Sequence, residues 1–259
     1  MSFSSARIAP GVPSDIMTQP EIRIYPDATS LFRAAANFIA ASLQTQLHKR
    51  EKASFVLAGG KTPAGVYDIL ADSYTDIDWT RVEFFWGDER CVPPDSEQSN
   101  YHLAYQYLLS RIPVPDVNLH RIAAEIPDRE GAALRYQDEI QRALPGPAPP
   151  SFDLVLLGMG EDGHTASIFP DTEWSESRLV IPSLASVPPI ERISMTPRLL
   201  NSARQVIFLV SGAAKAPALR GVLQNPSCAY PAKRIQPISG TLVWMVDSAA
   251  ASLLNTQTK

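Results

Sequence analysis

Cysteine is scarce in this sequence: Cys91 and Cys228 are the two cysteines among its 259 residues. They stand far apart and form no C-x-x-C pair, which argues against a disulfide framework and against a cysteine-based metal site. The four histidines, at positions 48, 102, 120 and 164, likewise lack the spacing of zinc ligands. We therefore expect two reduced thiols, a cytoplasmic location and no metal site.

Long apolar runs are also missing, and no segment approaches the length of about 20 residues that a bilayer-spanning helix needs. The net charge of −4 does not provide the broad positive field that nucleic-acid-binding proteins use. We therefore expect neither a membrane nor a nucleic acid as partner. An anionic ligand of this protein has to be held by a local group of donors.

Short apolar segments alternate with amphipathic ones from residue 21 onward. The apolar segments predict strands at 21–25, 54–58, 82–86, 152–157, 205–210 and 242–246, with weaker candidates at 178–184 and 192–195. The amphipathic segments predict helices at 28–48, from 63 onward, near 98–110, at 128–143 and at 213–224, and a short helix after 246. This alternation predicts a mainly parallel sheet with helices on both faces.

The domain organisation predicted from the same pattern is simple. Residues 1–20 are expected to be a flexible tail and residues 21–259 a single α/β domain. The proline-rich segment 144–151 is interpreted as a surface crossover, because strands and helices continue to alternate beyond it. Ligands of open α/β sheets bind beyond the carboxyl ends of the strands, so the chemistry is expected just after residues 58, 86, 157 and 210.

The first of these strand ends carries the segment Gly59-Gly60-Lys61-Thr62-Pro63. Glycines let backbone N–H groups approach an anion, and the N-terminus of the following helix adds a favourable partial charge. Thr62 is the predicted N-cap, with Pro63 at the first helical position. The pattern predicts a phosphate-binding turn, although taken alone it fits an ordinary strand-to-helix turn equally well.

The second strand end carries Gly-Asp-Glu-Arg at 87–90. Arg90 is a candidate for binding phosphate oxygens with both arms of its guanidinium group. Asp88 is a candidate for orienting Arg90 or for binding a substrate hydroxyl. A charged run of this kind is, by itself, more often a solvated turn.

The third strand end is the most informative, because three glycines fall within six residues at 158–163. That density indicates a strained backbone or one in close contact with a ligand. His164 follows directly and is a candidate general base near neutral pH. Either Asp162 or Glu161 is placed to fix its tautomer.

The fourth strand end reads Ser-Gly-Ala-Ala-Lys-Ala at 211–216. Lys215, in the first turn of the predicted helix, is a candidate to contact a phosphate as a point charge. A surface lysine on a helix would explain the same pattern on its own.

Taken together these segments resemble the 6-phosphogluconolactonase family. The matching segments, in the family's order, are GGKTP at 59–63, WGDERCVP at 86–93, SNY at 99–101, GMGEDGHTASIFP at 158–170, ERISMT at 191–196 and SGAAKA at 211–216. The GHTASIFP segment is the most specific of them, whereas the glycine–threonine–proline turn is shared with related sugar-phosphate isomerases.

The resemblance implies a Rossmann-like α/β/α sandwich, similar to glucosamine-6-phosphate deaminase and ribose-5-phosphate isomerase. It implies hydrolysis of 6-phosphoglucono-δ-lactone, the second step of the oxidative pentose phosphate pathway, without a metal or organic cofactor. The base of the family matches His164. The phosphate and sugar contacts match residues Gly59, Gly60, Thr62, Arg90, Arg192 and Lys215, while Lys61 stands where relatives carry a serine or a basic residue.

A hydrolase of this kind does not need a serine nucleophile, and the G-x-S-x-G motif is absent from the sequence. His164 is expected to take a proton from the attacking water, with Asp162 supporting it. The partner is then a small sugar phosphate, and the protein a monomer or a small homo-oligomer.

Two alternatives remain. One is a deaminase or isomerase for sugar phosphates on the same scaffold; the deaminases differ at Gly87–Arg90 and after His164, and both segments favour the lactonase. The other is a non-catalytic sugar-phosphate sensor, for which residues 1–20 are too short to supply a helix-turn-helix domain.

Overall fold

The computed structural model describes residues 20–255, so the predicted tail lies outside the described residues except for its last position. The strands are β1 Glu21–Tyr25, β2 Ala53–Leu57, β3 Val82–Trp86, β4 Asp88–Arg90, β5 Leu119–His120, β6 Leu154–Leu157, β7 Val180–Leu184, β8 Glu191–Met195, β9 Gln205–Val210 and β10 Thr241–Asp247. The helices are α1 Ala28–Lys49, α2 Lys61–Ser73, α3 Asn100–Tyr107, α4 Arg129–Ala143, α5 Pro197–Leu200 and α6 Ala216–Gln224.

Seven strands form one parallel sheet in the order β1-β10-β9-β6-β2-β3-β5. Four of them, β9, β6, β2 and β3, are consecutive neighbours in that order. Because parallel neighbours end at the same edge of a sheet, the turns after these four strands lie side by side. These are the four strand ends at which the sequence predicts the chemistry.

The core of the sheet is apolar on both faces. Every residue of β2, β3 and β6 is buried, as expected for parallel strands covered by other elements on each side. Their sequences are runs of aliphatic and aromatic residues, interrupted by polar positions such as Ser54 and Glu83. A rigid, fully packed sheet of this kind holds the turns at its edge in fixed relative positions.

A second, antiparallel sheet has the order β4-β8-β7 and was not predicted. The weak strand candidates at 178–184 and 192–195 are its strands β7 and β8, and the short β4 follows β3 after one glycine. A strand of three charged residues carries no hydrophobic pattern, so β4 could not be predicted from the sequence. The pairing places Arg90 directly opposite Arg192.

The remaining predicted elements agree with the structure, with two differences. The predicted helix at 213–224 is a 3₁₀ turn, Ala213–Lys215, followed by α6. The short helix expected after 246 is wrong, because residues 248–254 form turns. The proline-rich residues 144–151 connect α4 to β6, and the four residues 145–148 are exposed. In the described part of the chain, no helix is long and apolar enough to cross a membrane.

Candidate active site

A cavity of about 370 Å³ opens at the carboxyl edge of the parallel sheet. Nine of the ten predicted site residues line it, namely Gly59, Gly60, Lys61, Thr62, Asp88, Arg90, His164, Arg192 and Lys215. The tenth, Asp162, does not line the cavity but contacts His164. The structure therefore brings the four predicted turns, and β8 of the second sheet, together around one space.

His164 and Asp162 form a hydrogen-bonded pair at the end of β6. The Nδ1 atom of His164 lies 2.6 Å from Oδ1 of Asp162, which also accepts the backbone N–H of His164 at 3.1 Å. Partial burial alone would raise the pKa of Asp162, but these hydrogen bonds and the charge of the imidazole hold it below its usual value. The sequence left open whether Asp162 or Glu161 faces the imidazole, and the structure assigns Asp162.

Two of the three glycines before His164, Gly160 and Gly163, are required by close packing. A Cβ atom on Gly160 would lie 2.1 Å from Nδ1 of His164, and Gly163 has a φ of +75° with Tyr230 packed against it. The ring of Phe169 stands 4.7 Å from the imidazole, centroid to centroid, and also lines the cavity. Gly160 and Gly163 thus let the loop fold tightly around the imidazole of His164.

The turn after β2 differs in detail from the prediction. Helix α2 begins at Lys61, and its N-cap is Gly60, whose φ of +100° suits glycine. The prediction of Thr62 as the N-cap is wrong, since Thr62 and Pro63 lie inside the first turn. The backbone N–H groups of a first helical turn lack helical partners, so this turn still offers donors to an anion.

Arg90 and Arg192 form an unusual cross-strand pair. They face each other on β4 and β8, both line the cavity, and Arg192 is only 7% exposed. Burial, and then the positive charge of Arg90, lower the pKa of Arg192. In the described part of the chain, neither guanidinium group lies within 4 Å of a carboxylate oxygen. Two like charges directly opposite each other destabilise a sheet, so this pair favours an anion beside it.

Lys215 enters the cavity from the turn after β9, and its Nζ atom lies 3.9 Å from Oε1 of the exposed Glu161. The turn is held by Asp247, a buried carboxylate at the end of β10 that accepts from Ser211 Oγ and from the backbone N–H of Gly212. Asp247 was missed by the sequence analysis. Its place immediately after the predicted strand 242–246 was the available signal.

The charged run at 88–90 divides between two sides of β4, because side chains alternate along a strand. Asp88 and Arg90 line the cavity, whereas Glu89 is buried and accepts the backbone N–H groups of Asn100 and Tyr101 at the start of α3. Burial raises the pKa of Glu89, and those N–H groups oppose the rise. Glu89 therefore has a structural role, and only its two neighbours face the cavity.

One of the two predictions for Asp88 was that it orients Arg90. The two side chains form no ion pair in the structure, so Asp88 does not orient Arg90 in that way. Its carboxylate accepts Oγ of Ser167 at 2.6 Å and Nδ2 of Asn100 at 3.3 Å. Both partners line the cavity and were not predicted as site residues.

The described residues hold no group of three or more histidine, cysteine, aspartate or glutamate side chains arranged to bind a metal ion. Cys91 and Cys228 are both free thiols, and burial raises the pKa of Cys91.

The chain is similar in both sequence and fold to proteins of known activity. The sequence model for glucosamine-6-phosphate isomerases/6-phosphogluconolactonase matches residues 26–244. The 6-phosphogluconolactonase of Nostoc sp. is 36% identical over 240 residues, which are 90% of this chain and 98% of that protein. The solved structure of 6-phosphogluconolactonase from Trypanosoma brucei has a TM-score of 0.80 and 30% identity, and the match covers 92% of this chain and 99% of the other.

A monomeric glucosamine-6-phosphate deaminase of the NagB superfamily has a TM-score of 0.78 at 23% identity, covering 90% of this chain and 99% of that chain. At that identity the likeness concerns the fold alone. The predicted fold class, a mostly parallel sheet with helices like that of the deaminases, is confirmed.

Proposed function

The chain belongs to the glucosamine-6-phosphate isomerase/6-phosphogluconolactonase family, and we propose that within it the chain is a lactone hydrolase. It opens 6-phosphoglucono-δ-lactone with water and releases 6-phosphogluconate, in the oxidative pentose phosphate pathway. One observation carries this proposal: a single cavity is lined by His164, which is hydrogen-bonded to Asp162, together with two lysines and two facing arginines. The first pair suits proton transfer, and the cations suit a phosphate dianion.

The proton-transfer step is assigned to Nε2 of His164. Because Nδ1 donates to Asp162, the neutral imidazole keeps its acceptor at Nε2. Nε2 takes a proton from water as the water oxygen attacks the lactone carbonyl carbon, which gives a tetrahedral oxyanion. The imidazolium ion then returns the proton to the ring oxygen as the carbon–oxygen bond breaks. General base catalysis of this kind typically contributes about 10²–10⁴-fold.

The phosphate anchor is assigned to Arg90, Arg192, Lys61 and Lys215, with the N–H groups of the turn at 59–62. Holding the phosphate fixes where the rest of the substrate lies, so the carbonyl is presented to His164 in one orientation. An anion bound beside the facing arginines also offsets the repulsion between their two positive charges. Part of the binding free energy therefore comes from relieving a repulsion that destabilises the free protein.

The direct test is hydrolysis of freshly generated 6-phosphogluconolactone, with the spontaneous rate subtracted. We expect rapid hydrolysis, and much slower turnover of the same lactone without its phosphate. Equal rates on both lactones would contradict the phosphate anchor. No hydrolysis of either, with release of ammonia from glucosamine 6-phosphate, would instead favour the deaminase reaction known from the structural relative.

We also propose that the protein acts on a free small-molecule sugar phosphate in the cytoplasm, where the unpaired Cys91 and Cys228 would remain reduced. The oligomeric state stays a prediction, a monomer or a small homo-oligomer. Cell fractionation and sedimentation equilibrium measure the two properties directly.

A further inference from the structure

The carboxylate of Asp88 is held from two sides by buried polar side chains. Ser167 is 1% exposed and donates to one oxygen at 2.6 Å, and Asn100 is 1% exposed and donates to the other at 3.3 Å. We propose that Ser167 and Asn100 are positioning residues that fix Asp88 as the acceptor for a ring hydroxyl of the substrate. This inference rests on the proposed lactonase function, which supplies the polyhydroxylated ring.

Ser167 ties Asp88 to the loop of the catalytic base, because it stands three residues after His164. Its backbone N–H donates to Ser194 Oγ at 3.1 Å, and its carbonyl accepts Ser183 Oγ at 2.7 Å. These partners belong to β8 and β7 of the antiparallel sheet. The backbone of Ser167 is therefore held by two strands as well as by its own loop, and this places its hydroxyl beside Asp88, to which it donates.

Asn100 ties the same carboxylate to the turn assigned to the phosphate. Its Nδ2 atom also donates to the backbone carbonyl of Asp88 at 2.9 Å, and its backbone N–H is held by Glu89 at 2.7 Å. The side chain of Asn100 fills the space in which a side chain on Gly59 would stand, since a Cβ there would lie 1.8 Å from Asn100 Oδ1. Asp88 is thus connected through Ser167 to the His164 loop and through Asn100 to the turn assigned to the phosphate.

The electrostatics of the cavity indicate what Asp88 binds. A carboxylate beside a phosphate-binding site repels the phosphate, so it disfavours binding unless it makes a compensating contact with another part of the ligand. Asp88 is partly buried and lines the cavity, and in the described part of the chain no cation lies within 4 Å of it. An ionised carboxylate accepts hydrogen bonds only, and the neutral donors of the lactone are its ring hydroxyls. Such a contact sets how far the carbonyl lies from His164.

The experiment compares Ser167→Ala with Ser54→Ala. Both remove one buried hydroxyl that donates to a carboxylate, but Ser167 contacts Asp88 whereas Ser54 contacts Asp153 and lies outside the cavity. We expect Ser167→Ala to lower kcat about tenfold or more, as for a lost hydrogen bond to a charged group. The inhibition constant of inorganic phosphate should stay the same, because the anchor is intact. Ser54→Ala should keep kcat within about twofold; equal losses in both variants would overturn the proposal.

A double-mutant cycle tests whether Ser167 acts through Asp88. Asp88→Asn should lower kcat by more than Ser167→Ala, and adding Ser167→Ala to Asp88→Asn should cause no further loss. Fully additive effects would contradict the assignment.

A crystal structure of Ser167→Ala separates this inference from the proposed function. We expect the Asp88 carboxylate to turn away from its original position, with the His164 loop unchanged. An unmoved carboxylate would refute the positioning role whether or not the wild-type protein hydrolyses the lactone. A wild-type protein without lactonase activity would refute the proposed function, and the position of Asp88 would still decide the role of Ser167.

Discussion

One oxygen of Asp162 accepts hydrogen bonds from both the ring Nδ1 and the backbone N–H of His164, at 2.6 and 3.1 Å. The carboxylate therefore fixes the tautomer of the ring and its rotation at the same time. Asp162 does so from outside the cavity, because His164 lines the cavity and Asp162 does not. In this arrangement Nε2 is the nitrogen that is available to a water molecule held in the cavity.

Replacing His164 with glutamine removes the base but keeps a polar side chain of similar size. We expect kcat on the phosphorylated lactone to fall about 10²–10⁴-fold, since that is the usual contribution of a general base. The Tm should change little, because the side chain is about one third exposed. His48→Gln is the control, as His48 is exposed on α1, and it should retain full activity. Near-normal turnover by the His164 variant would assign the base elsewhere.

Replacing Asp162 with asparagine should lower kcat about tenfold to a hundredfold, the usual cost of losing a hydrogen bond to a charged group. An amide nitrogen facing Nδ1 would also favour the wrong tautomer, with the proton on Nε2. Substrate affinity should change much less than kcat, because Asp162 does not line the cavity. Steady-state kinetics of the variant separate the two effects, and a change confined to KM would contradict this role.

The same carboxylate gives a pH prediction for stability. The pKa of Asp162 is lowered in the folded protein, so its stabilising contribution is present above the ordinary aspartate value of about 4 and is lost as the pH falls through the lowered pKa. The difference in Tm between the wild type and Asp162→Asn should therefore be present at pH 5 and should disappear as the pH falls further. A difference that grows below pH 5 would have the wrong sign.

The sequence predicted the location of the candidate site more accurately than it predicted the contacts between the site's residues. Strand ends and glycine-rich turns are local patterns, so the turns predicted after 58, 86, 157 and 210 could be located without a structure to within one residue. Their convergence followed from the parallel sheet. Arg192 was found only through the family resemblance, because β8 belongs to a second sheet whose strands pair over long distances in the sequence.

The buried hydrogen-bond partners could not be predicted, and the reason is physical. Ser167 contacts Asp88 across 79 positions and Ser194 across 27, so neither contact leaves a local pattern. Serine and asparagine are also common in exposed turns, and nothing in their residue type signals that Ser167 and Asn100 are buried. Only the folded positions of the two sheets bring these side chains to the cavity.

Because Arg90 and Arg192 face each other, we expect the charges that bind phosphate to lower the stability of the free protein. Replacing Arg192 with methionine keeps an apolar stem in a buried position and removes one of two like charges. The Tm of the free protein should therefore not fall, while KM for the phosphorylated lactone should rise about tenfold to a hundredfold. Inorganic phosphate should raise the Tm of the wild type, as any ligand of the folded state does, and should raise that of the variant much less at the same concentration.

The control for this experiment is Arg135→Met, because Arg135 is exposed on α4 and lies outside the cavity. It should keep both the KM and the phosphate-dependent rise in Tm. A strongly destabilised Arg192 variant would mean that the guanidinium group is needed for folding. That result would contradict the inference that the two arginines face each other in order to bind an anion.

Two glycines that line the cavity should respond in opposite ways to alanine. At Gly59 the added Cβ would lie 1.8 Å from Oδ1 of Asn100, whereas at Gly158 it would meet no atom within 4 Å. Neither residue has a positive φ, so the difference is one of packing and not of backbone strain. Gly59→Ala forces Asn100 to move, and overpacking of this kind costs about 1–3 kcal/mol.

The free energy of unfolding, measured with urea, should therefore fall for Gly59→Ala by about that amount. For Gly158→Ala it should stay the same or rise slightly, because alanine restricts the unfolded chain more than glycine does. Since Asn100 donates to both the backbone carbonyl and the side chain of Asp88, the displaced amide should also release that carboxylate. Gly59→Ala should then lower kcat even in conditions in which the variant is fully folded. Full activity in a folded Gly59 variant would show that Asn100 can move without disturbing Asp88.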